Sequence, residues 1–183
     1  MWLDGEQLGG HVSGYTPYRF HLDASRLAGR TVVLAARIDA TKPDSWWYDG
    51  GGIYRSVWLT IASPVHIEPW GVYAPALVTG AIARGCADAQ LIPSVEIANE
   101  GPLPAHITVD MRVREAASGD VAASGTASVT VHAGGSAVVN HSRAIELRNA
   151  SLWSLESPAL YILRTALIVE GQVGPPTTLE CQH

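Results

Sequence analysis

The chain has 183 residues, of which 47% are hydrophobic and 16% charged, and its formal net charge is −5. That length suits one large domain or two small ones with modest cores, and the composition is that of a folded chain, not a disordered one. The acidic balance argues against nucleic-acid and anionic-membrane partners, both of which want clustered positive charge.

Cys86 and Cys181 lie far apart and in no C-x-x-C pattern, so free thiols are expected in place of a disulfide framework or a zinc site. No apolar run approaches the ~18 residues that span a bilayer. Met1-Trp2-Leu3-Asp4-Gly5 has neither the basic start nor the apolar core of a signal peptide. It reads like the middle of a strand, so the sequence is expected to be a piece of a longer protein. The compartment is left open between bacterial cytoplasm and periplasm, since any export signal would lie upstream.

Taken in chain order, the elements are strands. Asp4-Gly5 predicts a tight hairpin turn near the start, and Asp23 can cap one short helical turn reaching to Leu27. Val32, Leu34, Ala36 and Ile38 fall on one face of a strand with Arg37 and Asp39 on the other, and Val57, Leu59 and Ile61 repeat that period. Ser63-Pro64 interrupts the pattern, and since proline cannot donate to a central ladder, a domain boundary is expected there. Leu77 to Gln90, rich in Ala and Gly, gives no firm element. Ile107, Val109, Met111 and Val113 alternate with Thr108, Asp110, Arg112 and Arg114 in the clearest half-buried strand of the chain. Val129 with Val131, Ile145 with Leu147, and Leu160 to Val169 supply more. Turn signals at Asn99-Glu100-Gly101, Ser118-Gly119-Asp120, Ala133-Gly134-Gly135 and Glu170-Gly171 favour positive φ and separate the strands at sandwich-like intervals. The domains expected are therefore 1–63 and 64–174, all-β, with 175–183 a disordered tail.

Three stretches carry a resemblance. The first is Trp2 to His11 with Ser13-Gly14-Tyr15-Thr16-Pro17-Tyr18-Arg19-Phe20. The second, and most specific, is Lys42-Pro43-Asp44-Ser45-Trp46-Trp47-Tyr48-Asp49-Gly50-Gly51-Gly52-Ile53-Tyr54-Arg55, running into Ser56-Val57-Trp58-Leu59. The third is Leu152-Trp153-Ser154 with Ser157-Pro158-Ala159-Leu160-Tyr161. In this order they resemble family 2 glycoside hydrolases of β-galactosidase type, over about residues 1 to 173. The resemblance implies that 1–63 is the C-terminal part of a sugar-binding jelly-roll domain and that 64–174 is an immunoglobulin-like β-sandwich. It implies a retaining β-glycosidase as parent, whose (β/α)₈ barrel carries the catalytic glutamate pair. A retaining mechanism needs two carboxyl groups about 5 Å apart, and no glutamate from Glu6 to Glu180 lies in a matching motif. The chain is therefore expected to be inactive alone, with no catalytic residue, no cofactor and no metal of its own.

The candidate sugar contacts are Asp44, Trp46, Trp47, Tyr48 and Asp49, with His11 as a further candidate. Sugar rings stack their C–H faces on aromatic side chains while their hydroxyls need acceptors, and this loop holds both kinds of group. Packing against a neighbouring domain explains the aromatics equally well. For Arg55 an intramolecular ion pair or hydrogen bond holding the loop is the better reading. Gly50-Gly51-Gly52 lacks the lysine and helix of a phosphate loop, and the scattered histidines show no metal-ligand spacing. Trp153 and Tyr161 are expected in the sandwich core or at its corner, where a tyrosine hydroxyl can satisfy loop backbone.

Three functional readings follow. The first is an accessory, non-catalytic region of a family 2 glycosidase, lending loop residues to the barrel and acting as a spacer. The second is a free-standing carbohydrate-binding module, and the third a structural immunoglobulin-like protein. The specific loop before Pro64 speaks against the third. The partners expected are a β-galactoside or related carbohydrate and the barrel, together with a homo-oligomer formed through residues 1–63.

Overall fold

The computed structural model describes residues 1–41, 51–140 and 143–171, and the backbone of 177–182. Among these residues all regular structure is β apart from one 3₁₀ turn. Backbone contacts divide the chain into two compact units, Met1–Leu59 and Thr60–His183. The division falls between Leu59 and Thr60.

In the first unit β1 (Trp2–Leu3), β2 (Glu6–Gln7) and β3 (Leu34–Ala35) form a small antiparallel sheet in the order β2-β1-β3. Asp4 and Gly5 both take positive φ, 48° and 85°, which is the geometry a two-residue hairpin loop requires. Asp4 does more than turn the chain. Its Oδ1 accepts from the Val33 amide at 2.8 Å, its other oxygen pairs with Arg30, and its own amide donates to the Val33 carbonyl at 2.9 Å. The turn residue thus sets the register of β3 on β1. Arg26 forks onto Glu6 at 2.6 and 3.3 Å. The 3₁₀ turn Ala24–Arg26 is capped by Asp23, whose side chain accepts from the Ser25 amide at 2.9 Å, as its position in the sequence suggests.

The alternation at Val32–Ile38 is realised only over Leu34–Ala35, and Val57–Ile61 forms no strand. Val57, Leu59 and Ile61 are exposed. A strand needs a neighbour for its N–H and C=O groups, and among the described residues nothing pairs with 57–61. The period is legible there and the ladder is not.

The second unit is an antiparallel β-sandwich. Its strands are β4 (Val65–Tyr73), β5 (Ala76–Val78), β6 (Cys86–Leu91), β7 (Ser94–Asn99), β8 (Ala105–Glu115), β9 (Val121–Val131), β10 (Gly135–Asn140), β11 (Ile145–Ser151), β12 (Tyr161–Val169) and β13 (Thr177–Gln182). They form three sheets in the orders β10-β7-β4, β11-β6-β5 and β13-β12-β8-β9. Ile107, Val109, Met111 and Val113 of β8 bury one face, and Leu163 and Leu167 of β12, Val95 and Ile97 of β7, and Ile145 and Leu147 of β11 close the same core. The tail expected over 175–183 is corrected: β13 pairs with β12 from Leu167↔Thr177 to Ile162↔Gln182. Ladder bonds are made by backbone, so the free edge of the long β12 can order a segment with little apolar content. The stretch from Leu77 to Gln90 contains β5, a turn at Arg84-Gly85 with φ of 52° and 78°, and β6. Its inward residues are the small Ala87 and Ala89, which carry almost no hydrophobic period.

Two side chains fix loops. Asn99, 1% exposed, gives Nδ2 to the carbonyls of Leu103 at 2.8 Å and Val131 at 3.1 Å, while its Oδ1 accepts from the Gly101 amide at 3.0 Å. The loop after β7 therefore turns on a side chain and not on the positive φ that its Asn-Glu-Gly sequence suggests. The Tyr161 hydroxyl accepts from the Ser151 amide at 2.9 Å and ties β12 to the end of β11, as its corner role requires. Trp153 is a correction: it is 58% exposed and outside the core. A turn closed by the Ser154 amide on the Ser157 carbonyl at 3.0 Å carries the chain away from the sheet there.

Asn99→Ala is expected to lower the stability of the second unit by about 2–4 kcal/mol, because three backbone groups lose their partner at a buried site. Urea unfolding checks this: the midpoint should fall with the slope unchanged.

Candidate functional site

Asp44, Trp46, Trp47, Tyr48 and Asp49 lie outside the described residues, so the candidate loop is defined through its two stems. On the incoming stem, the Asp39 Oδ1 accepts from both the hydroxyl and the amide of Thr41, at 2.6 and 3.1 Å. On the outgoing stem, a Cβ placed on Gly51 would stand 3.2 Å from Ala40 Cβ and 3.3 Å from Ile38 Cγ2. The stems thus meet at Gly51, and the lack of a side chain there lets them close. Gly52 follows at φ 140°, a conformation that favours glycine. Gly51 and Gly52 therefore serve the approach of the stems. Beyond Gly52 the Arg55 guanidinium lies 5.9 Å from the centroid of the exposed Tyr54 ring, in a cation–π contact.

His11 lies on the segment that follows β2. Its Nε2 is 2.8 Å from Thr16 Oγ1, and its ring stacks on Tyr18 at 4.9 Å with an interplanar angle of 28°. Tyr18 in turn meets Phe20 edge-on at 5.6 Å. Gly9, at φ 150°, lies directly against Phe20: a Cβ there would come within 2.8 Å of the ring. Gly9 and Phe20 therefore form a seat for Tyr18, and Tyr18 orients the imidazole. The sequence singles out His11; Tyr18 is the residue it misses, and the i, i+2 spacing of Tyr18 and Phe20 is the signal that could have found it. His11 is exposed, with one ring face covered and one nitrogen bonded. Such a group can offer its remaining nitrogen to a hydroxyl. No group of three or more His, Cys, Asp or Glu among the described residues is arranged to hold a metal ion.

The fold has counterparts among solved structures. A β-glucuronidase from glycoside hydrolase family 2 superposes on 65% of this chain and 12% of its own, with a TM-score of 0.54 and 23% identity. Bacteroides uniformis β-glucuronidase 2 gives a TM-score of 0.55 over 65% of this chain and 14% of its own, at 16% identity. At these identities the likeness establishes the architecture. The class is thus an antiparallel β-sandwich.

The family model for glycosyl hydrolases family 2 matches residues 76–174, more than half of the chain, and the chain belongs to that family. It is 30% identical to the β-galactosidase BoGH2A of Bacteroides ovatus over 92% of this chain and 19% of that protein. It is 24% identical to a putative β-glucuronidase of Formosa agariphila over 92% of this chain and 15% of the relative. The chain therefore spans less than a fifth of the length of these relatives.

The Asp39 carboxyl is held below its ordinary value of 3.8, first by the Thr41 hydroxyl and then by the Thr41 amide. Its folded pKa being depressed, the contribution of this contact to stem order is present above the unfolded value and is lost as pH falls through the folded one. A carbon-detected NMR titration should find Asp39 below 3.8, and Thr41→Val should raise it toward that value. An unchanged Asp39 pKa in the variant would show that the hydroxyl is not the cause.

Proposed function

We propose that this chain is the accessory, non-catalytic region of a family 2 glycoside hydrolase acting on β-galactosides or related β-glycosides. Residues 1–63 are then the C-terminal part of the sugar-binding jelly-roll domain, and 64–174 are the immunoglobulin-like sandwich that spaces it from the catalytic barrel. The observation that carries this reading is the coincidence of family and extent. The chain belongs to the glycosidase family, is similar to a β-galactosidase and to a putative β-glucuronidase, and spans only 15–19% of either. The loop between Thr41 and Gly51 lends Asp44, Trp46, Trp47, Tyr48 and Asp49 to the sugar site of the assembled enzyme, and His11 lines the same pocket. Support for this reading comes from the stems, which approach one another at Gly51.

The test is a chromogenic β-galactoside assay on the purified chain. No turnover is expected, because a retaining mechanism needs a carboxyl pair about 5 Å apart and no glutamate of the sequence lies in a motif matching the family's catalytic pair; turnover sensitive to a galactoside-site inhibitor overturns the proposal. Addition of a family 2 barrel domain carrying the glutamate pair should restore activity, and Asp44→Ala should reduce that restored activity by raising KM.

The first unit is also proposed to associate with a second copy. Val33, Leu34, Ile38, Val57 and Leu59 are all exposed, and β3 presents an edge that only β1 shares. Sedimentation velocity should show a dimer that Val57→Lys disperses, and a strictly monomeric chain at high concentration overturns this.

A further inference from the structure

Strand β4 breaks its ladder with β7 in an unusual way. Ile67 pairs with Ile97 and Val72 with Val95, so Glu68, Pro69, Trp70 and Gly71 all stand opposite the single residue Glu96. Within this bulge Trp70 takes φ 65°, a left-handed conformation that a bulky L-residue rarely adopts. Gly71 locks it: a Cβ there would come within 2.6 Å of the Glu68 carbonyl oxygen and 2.8 Å of the Glu96 carbonyl oxygen. The outcome is an indole held 84% exposed. Bulges re-aim side chains, and strained backbone persists where the surroundings over-determine it. A glycine at position 70 would adopt this backbone freely, so the bulge does not need tryptophan. The ring is what remains to be explained.

Its surroundings say what it suits. Tyr73, three residues on and at most ~10 Å further along the strand, is 68% exposed. Glu68 Cβ would stand 3.1 Å from a Cβ placed on Gly71, and Glu96 faces solvent across from Val138 of β10. Neither carboxylate is paired among the described residues. A protein partner centred on Trp70 would have to bury these two carboxylates, which is costly without matching cations. A sugar offers the opposite match. Its C–H face stacks on the indole, and its hydroxyls donate to the carboxylates while all stay wet.

We infer that the bulge Glu68–Gly71 is a carbohydrate contact on the outer face of sheet β10-β7-β4, with Trp70 as stacking platform, Tyr73 as a second platform along the strand, and Glu68 and Glu96 as hydroxyl acceptors. The ligand class is an oligosaccharide long enough to reach both rings. This choice rests on the glycosidase reading, but the site is separate in sequence from the loop 42–50. The sandwich is then a sugar-contacting module as well as a spacer.

The test is titration of the isotopically labelled chain with a β-linked galactotetraose, followed by amide and indole shifts. Perturbations are expected at 66–73, 94–98 and 136–140. Trp70→Gly removes the ring while suiting the backbone, so it should keep or raise the urea midpoint and weaken binding about tenfold or more, the scale of an aromatic anchor. Trp70→Phe should retain part of the affinity, and Trp46→Ala should leave these perturbations intact. The inference is overturned if millimolar sugar leaves these residues unmoved, or if Trp70→Gly binds as the parent does. It is equally overturned if the perturbations are confined to the first unit and vanish with Trp46→Ala, or if Trp70→Gly acts only by dispersing a dimer. Since none of these outcomes involves turnover, failure here is distinguishable from failure of the accessory-region proposal.

Discussion

The ladder through β8 is the constraint on which the second unit depends. β8 pairs along nearly its whole length with β9 on one side and β12 on the other, so its backbone is satisfied on both edges. Its side chains are thereby committed to strict alternation. Ile107, Val109, Met111 and Val113 must point inward together, because a slip of one residue would send all four to solvent and bring Thr108, Asp110, Arg112 and Arg114 inside. The register of one central strand thus fixes which face the others cover. β12 follows the same parity with Leu163, Thr165 and Leu167. The interior is narrow, and where it meets β6 it is filled by alanines.

Loops and edges are held by fewer and more particular devices. Asn99 anchors one loop by three hydrogen bonds, and Tyr161 ties a corner by one. Asp4 in the first unit serves at once as hairpin residue, ion-pair partner and register pin. These residues are polar groups placed where backbone would otherwise be unpaired. The bulge in β4 belongs to the same accounting with the opposite result: there the ladder is given up over four residues and the backbone is strained. Elsewhere in the sandwich, polar side chains repair gaps in pairing. At the bulge a glycine keeps a gap open.

What could be read from the sequence follows from this distinction. Strands with a full apolar period, β8 and β12 above all, are legible because the core writes its periodicity directly into them. The Asp4-Gly5 turn and the Asp23 cap are legible because only a few residue types supply that geometry. β6 is not, because alanine carries too little hydrophobic contrast. β13 is not, because its sequence has little apolar content and its backbone pairs along the edge of β12. Residues 57–61 show the converse error, a clear period with no neighbour to pair with among the described residues. At the candidate site, His11 stands out as a histidine among glycines, but its orientation depends on Tyr18 and on the bare Gly9, a tertiary arrangement that spacing alone does not reveal. Trp70 escaped notice for a similar reason. A Pro-Trp-Gly triplet inside a strand signals a break, and only the structure shows the ring turned outward and held there.

The two aromatic sites proposed for this chain belong to different parts of the fold, and the difference bears on what each can do. The residues proposed for the loop stand in sequence between two stems that meet at Gly51. That suits a site completed by another domain, where the loop supplies contacts and the partner supplies the reacting groups. A ring fixed on a bulge is positioned by the sheet itself, and groups built on strands are more sharply placed than groups on loops. Such a ring loses little conformational freedom when it binds, and it needs no partner to be complete. Weak but autonomous contact with a long carbohydrate fits the bulge, and conditional contact within an assembled active site fits the loop. The family gives both a place: an enzyme that works on glycans gains from a surface that holds the chain near the site that cuts it.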